Sequence, residues 1–242
     1  RMRQQVCDAG AELICTNVQA VFPAEKRAET GAGTFAARAM IIAAGAEPKT
    51  LGIPGEARFR GNGVSYCGTC DGFFYRGREV YVVGGGNSAG EEALHLAQLA
   101  SRVHLLVRGE RLRCDDATRR RLDAQENLQI EFHRALREIR GDAAIEALLV
   151  EDTRSGSVAS IPAEGAGVFI FIGYRPASAP FAGMLEMDEN GCLLTDDTLQ
   201  TSTPGVFAAG DIRKKALRQI ITAAADGAEA AFHACKFLQD MV

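Results

Sequence analysis

An excess of charge of one sign is missing from this chain. Its 27 Lys and Arg against 31 Asp and Glu leave a net charge of −4, which gives no electrostatic basis for binding nucleic acid or an anionic membrane. Long apolar runs are missing as well. No stretch approaches the ~18 residues that a spanning helix needs, and no signal-peptide pattern opens the sequence, so the expected location is cytoplasmic. The 7 cysteines are an odd number in 242 residues, which argues against a disulfide scaffold of the small secreted kind. Five of them (Cys7, Cys15, Cys114, Cys192 and Cys235) are scattered singly and read as small buried side chains. There is no second Cys-x-x-Cys, and His95, His104, His133 and His233 stand apart. A zinc site would need two more ligands beside Cys67 and Cys70, so no metal is expected.

What is present is an ordinary globular composition, 47% hydrophobic and 24% charged, with room for one large or two modest domains. The opening residues to Gly10 could be helical. Glu12–Phe22 and Thr34–Ala44 read as strands of a small antiparallel layer, joined through the polar stretch Pro23–Gly33. Breaker-rich sequence from Glu47-Pro48 to Pro54-Gly55 marks a domain crossing. Beyond it, Glu79–Val83 reads as a strand, Glu91–Ala100 as a helix and Val103–Val107 as a buried strand, a β-α-β unit of mononucleotide-binding size. A charged helix over Asp115–Ala124 follows, then strands near Leu128–His133, Ile145–Glu151 and Val168–Ile172. After Pro176 and Pro180 come a short extended piece at Cys192–Thr195, a buried strand at Val206–Ala209 and a long Ala-rich helix over Gln219–Leu238. The pattern is one nucleotide domain inserted into another domain made from both chain ends.

Two sites carry chemistry. Gly84-x-Gly86-x-x-Ala89 follows the first strand of the β-α-β unit and opens its helix. The first glycine permits the tight turn, the second lets backbone approach a pyrophosphate, and Ala89 allows close helix–strand packing, with the phosphates at the helix N-terminus and Asn87 and Ser88 in the same turn. Where an NAD site would carry an acid at the end of the second strand, this chain has Arg108, with Arg111 and Arg113 just beyond. That cationic set suits the extra ribose phosphate of NADP, although Glu110 could turn inward instead. The second site is the pair Cys67 and Cys70, whose spacing suits dithiol–disulfide exchange. Asp71 follows directly and could protonate a leaving thiolate or serve as a turn or helix-cap residue.

Val64-Ser65-Tyr66-Cys67-Gly68-Thr69-Cys70-Asp71-Gly72-Phe73-Phe74-Tyr75 and the glycine turn after it resemble the low-molecular-weight bacterial thioredoxin reductases. The resemblance extends to Met40–Ala46, to Thr203–Asp211 as a second FAD motif, and to Arg218–Thr222. It implies an α/β fold of two Rossmann-like nucleotide-binding domains of three-layer ββα build, the first incomplete at its N-terminus because the FAD-binding glycine-rich turn is absent. The implied domains are 1–48 with 178–242 for FAD, and 50–176 for NAD(P)H and the redox centre. Cys70 would lie by the flavin, Cys67 would attack thioredoxin or a similar redoxin, and Asp71 would be the acid. Gly45, Gly210, Asp211, Arg218, Gln219 and Ile220 would hold FAD. Gly84, Gly86, Asn87, Ser88, Ala89, Arg108, Arg113, Ile172 and Gly173 would hold NADPH. A homodimer is implied.

Two further departures stand out. Val107-Arg108-Gly109 replaces the family's His-Arg-Arg, and the segment Asp211-Ile212-Arg213-Lys214-Lys215-Ala216 is more basic than the usual form. The latter reads as a solvated basic loop ahead of the alternative, a mark of a different redoxin partner. Other readings remain open, namely a related flavoprotein disulfide reductase serving another redoxin or a peroxidase, and a non-catalytic redox sensor.

Overall fold

The computed structural model describes residues 2–241. The chain divides into two compact units, Pro48–Tyr174 and a unit made from Arg1–Glu47 with Arg175–Val242.

In the first of these, five strands form one parallel sheet in the order Val64–Ser65, Gly167–Ile170, Glu79–Val83, Arg102–Val107, Leu128–Phe132. Both faces are covered, which is why the inner strands Gly167–Ile170, Glu79–Val83 and Arg102–Val107 are largely apolar rather than alternating, whereas the edge strand Leu128–Phe132 alternates. On one face Val80, Val82, Val103 and Leu105 pack on Ala89, Ala93, Leu96 and Ala97 of the helix Asn87–Ala97. On the other, Tyr81, Val83, Leu106, Val168 and Ile170 pack on Leu136, Ile139, Leu148 and Val150. Those last four come from a three-stranded antiparallel sheet, Arg134–Arg140, Ala147–Asp152 and Val158–Pro162. The result is a three-layer ββα sandwich. Each fully buried Leu, Ile or Val in it contributes about 1.5–3 kcal/mol of burial free energy.

The unit built from the chain ends has an antiparallel sheet of Val18–Phe22, Arg27–Thr30 and Gly33–Ala36. It also has a parallel pair, Met40–Ile42 with Val206–Ala208, and the helix Ile220–Gln239. Ile42, Leu193, Val206, Ala208 and Ile212 form one core cluster. Phe207 and Leu199 meet Ala230 and Ala234 of the helix in another.

Several elements differ from the sequence reading. Only Val18–Phe22 of the first proposed strand is extended, and the polar connection contains the strand Arg27–Thr30. The Thr34–Ala44 segment splits into Gly33–Ala36 and Met40–Ile42, which belong to different sheets. The helix after the glycine turn begins at Asn87, a turn earlier than its apolar stripe shows. Cys192–Thr195 makes isolated bridges through Leu193 to Met187 and Arg213 but no strand. The opening helix is Met2–Asp8. Among the described residues, no helix is long and apolar enough to cross a membrane.

Candidate redox and nucleotide sites

The short edge strand Val64–Ser65 delivers the chain to Cys67, which caps the helical turn Gly68–Asp71. Cys67 and Cys70 are joined as a disulfide with their Cα atoms 5.3 Å apart, and the Cys70 N–H donates to Cys67 Sγ at 3.1 Å. Cys67 is half-buried, while Thr69 and Cys70 are exposed. The Ser65 hydroxyl, on a buried residue, donates to Asp71 Oδ2 at 2.6 Å and accepts the Cys67 N–H at 3.1 Å. One hydroxyl thus fixes the carboxyl of Asp71 relative to the cysteine turn.

Two further carboxyls hold the turn. A Cβ on Gly68 would run into the carboxylate of Glu92, from the helix Asn87–Ala97. Glu92 Oε2 is buried without a hydrogen bond of good geometry. Burial pushes this carboxyl's pKa up; the nearby His95 charge and the Thr69 and Gly68 amides offset the shift only in part. Upstream, the buried Glu56 accepts the Leu51, Gly52 and Ile53 N–H groups at 3.0, 2.7 and 3.4 Å. It also accepts the Tyr66 hydroxyl at 2.7 Å. Burial, reinforced by that bond to Glu56, pushes the Tyr66 phenol up to about 12. The Tyr66 carbonyl in turn accepts the Tyr174 hydroxyl at 3.1 Å.

The same unit carries a cavity of about 810 Å³ at the C-terminal ends of its parallel strands. Gly84, Gly86, Asn87, Ser88 and Ala89 line it, as do Arg108, Arg113, Ile172 and Gly173, so all nine positions assigned to the nucleotide meet in one place. Gly84 has φ +154°, and a Cβ there would overlap the Phe171 carbonyl and lie 2.7 Å from Ala89 Cβ. Gly86 is the opposite case, with open space where its Cβ would stand. The Arg113 N–H donates to the Gly85 carbonyl at 2.6 Å, which ties the arginine loop to the glycine turn, and the Asn87 side chain accepts the Asp115 N–H at 2.8 Å. No acid occupies the first turn of the helix. Arg134 and Arg137, which also line the cavity, pair with Asp152 and Glu151. Among the described residues Arg108, Arg111 and Arg113 form no ion pair. A helix N-terminus free of acids, an open glycine and unpaired guanidiniums fit a dinucleotide that carries an additional phosphate. Glu110 lines the same cavity.

In the unit made from the chain ends, the parallel pairing of Met40–Ile42 with Val206–Ala208 brings the turns at Gly45 and Gly210 to the same end of two adjacent strands. Gly210 lies against Ala223 in the first turns of the helix Ile220–Gln239, so Asp211, Arg218, Gln219 and Ile220 gather there too. Asp211 Oδ1 is buried with no hydrogen-bond partner among the described residues, and Ile220 is 87% exposed. A buried acceptor lacking a donor, next to bare apolar surface, fits a ligand with hydroxyls and a flat ring, as a flavin has. The Arg218 guanidinium reaches Cys192 Sγ at 3.5 Å, and Gln219 forms a reciprocal cap with Thr222.

The basic segment is not a solvated loop. Lys215 Nζ sits 2.8 Å and Arg213 Nη1 3.5 Å from Asp226 Oδ2, and all three side chains are largely buried. The same Asp226 oxygen accepts the Gly210 N–H at 2.9 Å. Two of these cations therefore neutralise a carboxylate that holds the Gly210 turn. Ser65, Glu56, Glu92 and Asp226 escaped the sequence reading because each acts across a fold contact with no local motif.

A disulfide after the edge strand of a three-layer unit, with a cavity at the glycine turn of the same unit, defines a class, the nucleotide-dependent dithiol oxidoreductases. The chain belongs to the pyridine nucleotide-disulphide oxidoreductase family, whose model matches residues 5–227. It is 42% identical over 247 residues to a thioredoxin reductase of Peptoclostridium litorale, covering 100% of this chain and 78% of the relative. It is 38% identical over 235 residues to the thioredoxin reductase of Bacillus subtilis, covering 96% and 74%. The crystal structure of thioredoxin reductase from Streptococcus pyogenes superposes with a TM-score of 0.89 at 36% identity, over 99% of this chain and 78% of that one.

Proposed function

We propose that this protein is an NADPH-dependent thioredoxin-disulfide reductase that carries FAD. The observation that bears most weight is the Cys67–Cys70 disulfide, closed at an accessible turn with Asp71 held beside it. A related reductase that passes electrons straight from its flavin would need no such pair. In this reading Pro48–Tyr174 is the NADPH domain and the chain ends form the FAD domain. Gly84, Gly86, Asn87, Ser88 and Ala89 cradle the pyrophosphate, Arg108 and Arg113 hold the extra phosphate, and Ile172 and Gly173 border the nicotinamide end. Gly45, Gly210 and Asp211 face the ribityl side of FAD, with Arg218, Gln219 and Ile220 near its ring.

When bound, NADPH and FAD would supply the electron pair that reduces the Cys67–Cys70 disulfide, with Cys70, on the family resemblance, as the sulfur that would receive it. The chain's own residues do the rest. The Cys67 thiolate attacks one sulfur of the redoxin disulfide, a new S–S bond forms, and the departing redoxin thiolate takes a proton from Asp71. Cys70 then attacks Cys67 Sγ, the ring closes, and the second redoxin sulfur leaves. Two electrons move from the dithiol to the redoxin. The exposed Phe73 and Phe74, at 66% and 73%, sit beside the turn where a partner protein must arrive. The proposal includes a cytoplasmic homodimer, on the family resemblance.

The test is NADPH-dependent reduction of oxidised thioredoxin by the flavin-loaded protein. Wild type should turn over, and Cys67→Ser and Cys70→Ser should each stop it while leaving flavin reduction by NADPH intact. A flavin-loaded protein that reduces its flavin with NADPH but no redoxin disulfide would sink the assignment.

A further inference from the structure

We propose that Ser65 is a positioning residue that holds the Asp71 carboxyl in place in both of its protonation states. This rests on the reading of Asp71 as the acid. The Ser65 hydroxyl lies within reach of three groups: Asp71 Oδ2 at 2.6 Å, the Cys67 N–H at 3.1 Å and the Cys67 carbonyl at 3.2 Å. A hydroxyl has one proton and two lone pairs. The Cys67 N–H occupies one lone pair throughout. While Asp71 is a carboxylate, the single proton points to Oδ2 in a short charge-assisted bond. Once Asp71 gains a proton, its O–H donates into the second lone pair of Ser65, whose own proton swings to the Cys67 carbonyl.

Neither state leaves a buried polar atom unpaired, so the carboxyl has no reason to move between them. The geometry matters in the step where Asp71 discharges. The partner S–S bond breaks as the Cys67–partner bond forms, the electron pair stays on the leaving sulfur, and the Asp71 O–H turns from Ser65 to that sulfur and gives up its proton. Asp71 is left as a carboxylate, and Ser65 rotates to donate to it. No proton is gained or lost by Ser65 itself. The switching acceptor is the carbonyl of the attacking cysteine's own residue, so acid and nucleophile are anchored to one side chain. Ser65 lies on the sheet's edge strand and is 6% exposed, which keeps water from competing for either bond.

The test needs only the protein with its cysteine pair chemically reduced, since thiol–disulfide exchange is then followed in a single turnover. Two probes separate the roles. Dithiobis(nitrobenzoate) releases an aromatic thiolate that needs no proton, and hydroxyethyl disulfide releases an alkyl thiolate that does. Asp71→Asn should slow the alkyl probe selectively. Ser65→Ala should slow it about tenfold or more, the lower part of the range for general acids, while the aromatic probe stays within about twofold. Ser65→Thr, which keeps the hydroxyl, should restore the rate. Ser65→Ala added to Asp71→Asn should cause no further loss, because the two act as one unit. Equal slowing of both probes by Ser65→Ala, or an additive double variant, overturns the proposal and leaves Asp71 as the acid. No selective loss in Asp71→Asn overturns the acid reading itself, and the role of Ser65 falls with it.

Discussion

Gly84 and Gly86 stand two residues apart in one turn, yet alanine should do opposite things at them. At Gly84 the backbone is held at φ +154°, and an added Cβ would overlap the Phe171 carbonyl, with Ala89 Cβ 2.7 Å away. Phe171 directly follows the buried strand Gly167–Ile170 and Ala89 is 0% exposed, so neither can step aside cheaply. Overpacking of this kind costs about 1–3 kcal/mol, and an alanine in a glycine-only backbone adds roughly 1 kcal/mol or more. The sum, about 3 kcal/mol, corresponds to a Tm lowered by roughly 6–12 °C for a chain of this size. At Gly86 the backbone is extended, with φ −98°, and nothing lies within 4 Å of the would-be Cβ. Gly86→Ala should leave Tm within about 2–4 °C of wild type, since an unstrained alanine changes stability by under ~1 kcal/mol. The new methyl would instead fill the space that a pyrophosphate uses, weakening NADPH at least ~10-fold, about 1.4 kcal/mol. The assays are thermal unfolding by circular dichroism and titration calorimetry with NADPH. A Gly86→Ala variant that melts early, or one that binds NADPH as wild type does, would refute the division of labour.

Arg108→Ala and Arg113→Ala should each weaken NADPH about 10-fold or more while barely affecting NADH, because a lost charge-assisted bond to phosphate costs about 1.5–3 kcal/mol; equal losses for both nucleotides in competition titrations would show the arginines to be solvated charge. Glu92 supplies a pH dependence. Its folded pKa lies above the ordinary 4.5 because burial disfavours the carboxylate, so the folded state binds this proton more tightly than the unfolded chain does. Stability is therefore lost as pH rises from 4.5 through the raised value. Glu92→Gln removes that loss, and its Tm advantage over wild type should grow as pH rises from 4.5; a difference flat with pH contradicts the assignment.

The parts of the fold that could be read from sequence are those whose cause is local. The glycine turn, the strand before it and the cysteine pair each carry a steric or chemical requirement within a dozen residues. The missed strands break the pattern that reveals a strand. In Arg134–Arg140 the register shifts between Leu136 and Glu138, so Ala135, Leu136 and Ile139 are all buried and the period of two is lost. Val158–Pro162 is an edge strand, mostly exposed, and its Pro162 and the Gly156 just before it read as turn signals. At the sites, Cys67, Cys70, Gly84 and Gly86 announce themselves, whereas Ser65 and Glu56 resemble any polar residue until the fold brings their partners in. Asp226 was hidden in a long alanine-rich helix, and only its contact with Gly210 and Lys215 gives it meaning.

The carboxylate of Glu56 gathers four donors, three from Leu51, Gly52 and Ile53 and the fourth from Tyr66. The loop at 51–53 has no ladder of its own. Its amides can nevertheless open to solvent only when this buried knot opens, and the knot includes the residue next to Cys67. The loop and the approach to the redox turn therefore belong to one cooperative folding unit, opening and closing together although no secondary structure joins them.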